Sequence, residues 1–174
     1  LAVGSRHWSS PDRALVKQST RIMAINADTV EVGDPLLHDI DRQLPAHFAE
    51  WQHLTDVGIE GFHIRFPEGD SYGHHLELGF NGIFLTSVFD GWVRDIKTTD
   101  ADAALLAENS ASVTVDNMHS MGNRVAHYAT YLGGVHNFLM KGIKVFNPTF
   151  HSLSVNTRST KSVYLHCEVF TQPT

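Results

Sequence analysis

A chain of 174 residues with 42% hydrophobic residues, 18% charged residues and a formal net charge of −6 is long enough for one well-buried domain and too apolar for a disordered one. Its 13 Lys and Arg form no cluster, so neither a nucleic-acid backbone nor an anionic membrane face is an expected partner, and no run of 18 apolar residues predicts a spanning helix. The single cysteine, Cys167, excludes an internal disulfide and a thiolate metal cluster, and a soluble protein of a reducing compartment is compatible with that usage.

In chain order, residues 1–10 read as an extended N-terminal arm of a single domain spanning 1–174. They lack the charged and apolar regions of an intact signal peptide. Ser10-Pro11-Asp12 is a helix start, and Leu15, Val16, Ile22 and Met23 keep helical spacing, which predicts a helix over about 11–25. Thr29 to Val32 suits a short strand. Asp34-Pro35 repeats the start signal before an apolar stripe from Leu36 to Leu54. Pro45 within the stripe predicts two short helices, about 35–43 and 45–55, meeting at a kink.

After Gly58 the apolar period falls to two. Phe62, Ile64 and Phe66 alternate with His63 and Arg65, and His74 to Phe80 alternates again across turn-forming residues, so 61–80 reads as a hairpin. Ile83 to Val93 predicts a buried strand interrupted near Gly91. Thr99-Asp100 caps an expected helix of about 101–108, and Ala111 to Val115 reads as a strand. Residues 117–146 suit helix and strand equally. Residues 150–155 and 163–170 alternate around a polar turn and predict a closing hairpin. No internal repeat stands out. Helices first and strands later give an expected α+β class, with N-terminal helices packed on a curved, mostly antiparallel sheet. In outline such a domain is similar to the cone-like SnoaL/NTF2-like group, none of whose motifs is matched.

Histidine is in excess, with 12 residues spread along the chain. On a strand His75 and Glu77 share a face that His74 does not. With His63 from the facing strand they form a candidate nitrogen and carboxylate ligand set for a divalent zinc or iron ion. The His47, Glu50, His53 series has one Glu-x-x-His and reads as a solvated helix face. Gly69-Asp70-Ser71 and Asp116-x-x-His119 imitate the two blocks of the SGNH hydrolases. They lie only 45 residues apart, too close for an intervening parallel α/β sheet. Phosphate-binding and dinucleotide Gly-rich loops, nucleophile elbows and His-Glu-x-x-His are absent.

Two functional expectations follow. The first is a small-molecule enzyme without an organic cofactor, of lyase, isomerase or hydrolase type. It would use His and Asp proton transfer in an apolar pocket, with His63, His75, Asp116 and His119 as catalytic candidates. The alternative is a structural subunit of a large homo- or hetero-assembly, such as a viral capsid or tail component. Low charge and unprotected strand edges favour that reading, with homo-oligomer or assembly contacts as the expected partners.

Overall fold

A computed structural model describes residues 2–7, 10–40, 46–156 and 158–171. The described residues contain strands and no helix, which overturns the α+β expectation. The chain divides into two compact units, Leu1–Trp51 and Gln52–Thr174.

The first unit carries two antiparallel pairs. β1 (Ala2–His7) pairs with β2 (Ser10–Lys17), and β3 (Ile22–Asn26) pairs with β4 (Thr29–Val32). The expected helix over 11–25 is therefore two strands, and the expected strand at Thr29 is β4. Gln18 is buried. Its amide donates to the Pro35 carbonyl and accepts from the Leu37 N–H, so Asp34-Pro35 lies in a polar-tethered turn rather than at a helix start. The kink at Pro45 lies outside the described residues; 46–53 is not helical.

The second unit is a parallel β-solenoid of about four turns. After the short strands β5 (Leu54–Thr55), β6 (Gly58–Glu60) and β7 (His63–Arg65) come β8 (Asn81–Thr86), β9 (Val88–Thr99), β10 (Ala103–Glu108) and β11 (Ala111–Met121). They are followed by β12 (Ala126–Gly133), β13 (His136–Lys141), β14 (Lys144–Val145), β15 (Thr149–Val155), β16 (Thr160–Leu165) and β17 (Glu168–Val169). One parallel sheet runs β15-β12-β10-β8. The other stacks β16, β13, β11 and β9, with β5, β6 and β7 below β9 and β14 and β17 above β11. The expected C-terminal hairpin is thus not a pair: β15 joins β12 and β16 joins β13. The expected 61–80 hairpin is strand only at β7, which is parallel to β9. The SnoaL/NTF2-like outline, with its concave apolar pocket, goes with the α+β class.

Successive rungs are offset by 22 to 25 residues, as in Ala103 over Asn81 and Tyr128 over Ala103. Inward side chains therefore stack in columns. Val93, Val115 and Met140 form one and Ile96, Met118 and Ile143 another, all essentially inaccessible. The 101–108 segment is rich in helix-forming Ala and Leu, yet it is strand β10. Its small side chains suit the crowded interior: a Cβ on Gly82 of β8 would come within 2.6 Å of the Ala104 carbonyl oxygen. Tyr164 closes one column, with its hydroxyl 3.1 Å from Thr130 Oγ1, and burial pushes its pKa up to about 12.

Each turn bends at left-handed residues that lie above one another. One column is Asp56, Asp90, Ser112, Asn137 and Lys161, with φ from 51° to 57°. A second is Gly61, Asp95, Asn117, Gly142 and His166, and a third is Ser87, Asn109, Gly134 and Arg158. Asn, Asp and Gly tolerate this backbone, and here the side chains also link rungs. Asn117 Nδ2 donates to Asp95 Oδ1 at 2.6 Å, and Asn137 Nδ2 donates to Ser112 Oγ at 3.2 Å. Replacing Asn117 with valine is expected to cost roughly 2–3 kcal/mol, from left-handed strain plus the lost bond, whereas glycine should stay within about 1 kcal/mol. Urea unfolding of the two variants checks this; equal losses would show that the corner backbone is not the constraint.

Candidate functional site

The first solenoid turn is longer than the others. Leu54 lies under Val88 and His63 under Lys97, an offset of 34 residues. The surplus is the segment 66–80, which leaves the solenoid after β7 and returns at β8. Four hydrogen bonds between a side chain and the backbone hold it down. Asp102 Oδ2 accepts the N–H groups of Gly79 and Phe80 at 2.9 and 2.8 Å. Arg124 Nη2 donates to the Pro67 carbonyl at 2.8 Å, and the Val125 N–H donates to Ser71 Oγ. Arg124 and Asp102 are themselves buried, 3.6 Å apart and each 3% exposed, with the guanidinium 4.9 Å over the Phe80 ring. Asp100 Oδ1 fixes the arginine from behind by accepting the Asn123 and Arg124 N–H groups.

The segment so held carries His74, His75 and Glu77 to the start of β12 and β15. Gly73 to Leu76 forms a turn closed by Leu76 N–H to Gly73 C=O at 2.8 Å. His75 sits at its third position with φ of +67°, where a type II turn favours glycine. The turn places both histidine rings on one side, stacked at 3.9 Å. The alternation expected of a strand would have parted them.

Ring centroids of His127 lie 4.6 Å from His74 and 4.9 Å from His75, and His151 is 5.3 Å from His74. Phe150 packs against His74 at 4.7 Å. The ligand-capable atoms of His74, His75 and His127 all lie within 4.8 Å of one another. Glu77 Oε1 is 2.9 Å from His127 Nδ1, with the two side chains only 10% and 12% exposed. His127 Nε2 is buried and reaches no hydrogen-bond partner among the described residues.

Electrostatics follow from this crowding. Desolvation, then the neighbouring His75, His127 and His151, lower the His74 pKa; Glu77 pulls it the other way. Burial works to raise the Glu77 pKa but is outweighed by backbone N–H groups of Glu77 and His75 and by His127, so its carboxyl titrates below the usual range. Burial, then Tyr131 and Glu77, raise the Tyr128 hydroxyl.

Of the residues singled out from sequence, the structure gathers His75 and Glu77. His63 lies elsewhere on β7, its Nε2 2.8 Å from Thr99 Oγ1. Asp116 pairs with Lys141 at 3.1 Å on the outer face of β11. His119 stands between Lys97 and Lys144 of the flanking rungs, its edge toward Phe146. Sequence reasoning left out His74, His127 and His151. The doublet at 74–75 was in view, but nothing local ties it to a histidine some fifty positions on.

Beside the cluster a groove of about 400 Å³ lies along β12 and β15, lined by Tyr128, Tyr131, His151, Leu153, Ser154, Val155 and Asn156. Tyr128 and His151 are register partners, stacked at 5.3 Å, and belong to both groove and cluster. Comparison with family models, curated proteins and solved structures finds no match. No helix of the described residues is long and apolar enough to cross a membrane.

Two outcomes are expected. Arg124→Met leaves the Asp102 carboxylate buried without its cation and should cost about 3–5 kcal/mol, while making 66–80 susceptible to limited proteolysis. A loss below about 1 kcal/mol would mean that the two backbone N–H groups suffice for Asp102. Burial, with Lys97 and Lys144, lowers the His119 pKa, so the folded state resists its protonation. Stability is then fully present above the ordinary histidine pKa and declines as pH falls through it toward the lowered value. His119→Gln should flatten part of that decline between pH 7 and 5 in thermal melts.

Proposed function

We propose that the protein is an enzyme acting on an extended, uncharged, hydroxyl-bearing ligand laid along the outer face of the β8-β10-β12-β15 sheet, with its chemistry at the imidazole cluster. The observation that carries this reading is the adjacency of groove and cluster, which share Tyr128 and His151. Solenoids present extended surfaces on which successive rungs contribute equivalent positions. Here those positions offer the tyrosine rings as flat apolar platforms, and Ser154 and Asn156 as neutral hydrogen-bonding groups. The lining contains no Lys, Arg, Asp or Glu, so it favours a neutral ligand over an ionic one.

His151 is exposed at the groove edge, where an imidazole can give or take a proton near neutral pH. Histidine proton transfer, expected from the composition, is retained in this reading, while the residues carrying it change. Asp116 and His119 have no part in it.

Calorimetric titration with neutral oligosaccharides of increasing length, against carboxylated ones of the same length, tests the groove. Neutral oligomers should bind with affinity that grows with length, and Tyr131→Ala should weaken them about tenfold, the scale of one lost aromatic platform. His151→Ala should remove turnover, with a loss of affinity no larger than that of Tyr131→Ala. Equal binding of carboxylated oligomers, or indifference to Tyr131→Ala, would overturn the reading.

A further inference from the structure

We infer that His74, His75 and His127 form a binding site for one divalent transition-metal ion of the zinc class, with Glu77 as the positioning residue. The ion's presence does not depend on the groove reading. Its role as the reactive centre beside the groove does.

Four observations converge. Three imidazoles from two separate chain segments bring ligand atoms within 4.8 Å of one another. An imidazole nitrogen binds zinc at about 2.0–2.1 Å, so tetrahedral ligands stand about 3.3 Å apart. The exposed His74 and His75 rings need turn inward by only about an ångström each to close on an ion, a movement within ordinary side-chain freedom. Glu77 on His127 Nδ1 is the carboxylate–imidazole arrangement that fixes tautomer and ring orientation at metal ligands, and it leaves Nε2 as the nitrogen for the ion. That Nε2 is buried and without a hydrogen-bond partner among the described residues, an arrangement that costs stability unless something fills the position. His75 takes a left-handed backbone with φ of +67°, and this turn brings its ring to the same side as that of His74, stacked at 3.9 Å.

The donor chemistry selects the class of ion. Three neutral nitrogen ligands suit zinc, cobalt, nickel or copper, and they do not suit calcium or magnesium, which require oxygen. Three protein ligands also leave a fourth position for water or a ligand, the pattern of catalytic rather than structural zinc. Compared with the ligand set expected from sequence, His75 is kept, Glu77 moves one shell out, and His74 and His127 replace His63.

The test is a titration of the metal-free full chain with zinc, by competition against a chromophoric chelator. Cobalt is added in parallel for its visible absorption. One equivalent should bind with micromolar or tighter affinity, and cobalt should show the intense bands of a four- or five-coordinate nitrogen site. His127→Ala should weaken zinc by at least 100-fold, and Glu77→Gln by about 10–100-fold. His119→Ala, on another face, should change nothing. His75→Gly relieves backbone strain, so it should fold at least as well as the parent and still lose zinc, which separates ligand loss from misfolding. Tyr131→Ala should leave zinc affinity unchanged. Zinc bound no better by the parent than by His127→Ala and His75→Gly would overturn the inference. Oligosaccharide binding that persisted in that event would leave the groove reading standing alone.

Discussion

A single rung of this solenoid has no core of its own. Val115 and Met118 of β11 are inaccessible only because β9 lies on one side and β13 or β14 on the other, so every inward residue depends on in-register stacking of its neighbours. Stacking in turn requires each turn to bend at the same places. The three columns of left-handed residues meet that requirement, and the rest of the architecture follows from them. A rung that bent one residue early would send its inward set outward, because side chains along a strand alternate faces. Side-chain bonds within these columns tie three corners to the one below, Asn109 to Ser87, Asn117 to Asp95 and Asn137 to Ser112, so the element that sets the period also resists slippage.

This regularity makes the exception informative. The offset of 34 residues in the first turn adds a loop without disturbing the ladder, since β5, β6 and β7 still pair with β9 in parallel. Loops on rigid scaffolds are where binding groups concentrate, but a loop needs anchoring to hold a ligand geometry. Here the anchor is the buried Asp102–Arg124 pair. Such a pair recovers its desolvation cost only with good geometry and further hydrogen bonds. Asp102 Oδ1 and two of the guanidinium nitrogens make no hydrogen bond, so the pair is a weak contributor to net stability. Its value lies in position: through Pro67, Gly79 and Phe80 it fixes both ends of the segment that carries His74, His75 and Glu77.

Part of the strand content was legible, in the apolar run of 83–93, in 111–115 and in the alternation of 150–155 and 163–170, but the face was not: in β16 the apolar Val163 and Leu165 point outward and Tyr164 points in. Partnership was not legible. A two-residue period says nothing of whether a strand joins its sequence neighbour or a strand some 24 positions away, and the polar turn between β15 and β16 imitates a hairpin loop. The repeat escaped because its units share few residue identities, Val93 and Val115 among them, and otherwise only inward size and a left-handed corner that Asp, Ser, Asn, Lys, Gly and His all occupy. The helix expected at 101–108 failed for a tertiary reason: alanines favoured in an isolated helix are equally what a narrow solenoid interior admits. At the site, His75 and Glu77 could be found because they lie two residues apart. His127 could not, since its approach is set by the solenoid period and the loop length together.

The cluster is also where several local rules are broken at once. A histidine takes a glycine-like backbone, a ring nitrogen is buried unbonded, five ionisable side chains crowd together, and the only elongated turn of the described solenoid supplies the loop. Elsewhere in the unit such departures are scattered: Lys161 and His166 also take left-handed corners, and Thr98 and Ser162 also bury unbonded oxygens, but none of these gathers several imidazoles. Isolated violations occur in any protein. Violations that coincide on a few neighbouring residues indicate a place held for something other than stability. The excess of histidine in the composition then has a local meaning. Four of the twelve converge on one surface, a density that neither core packing nor a solvated face requires.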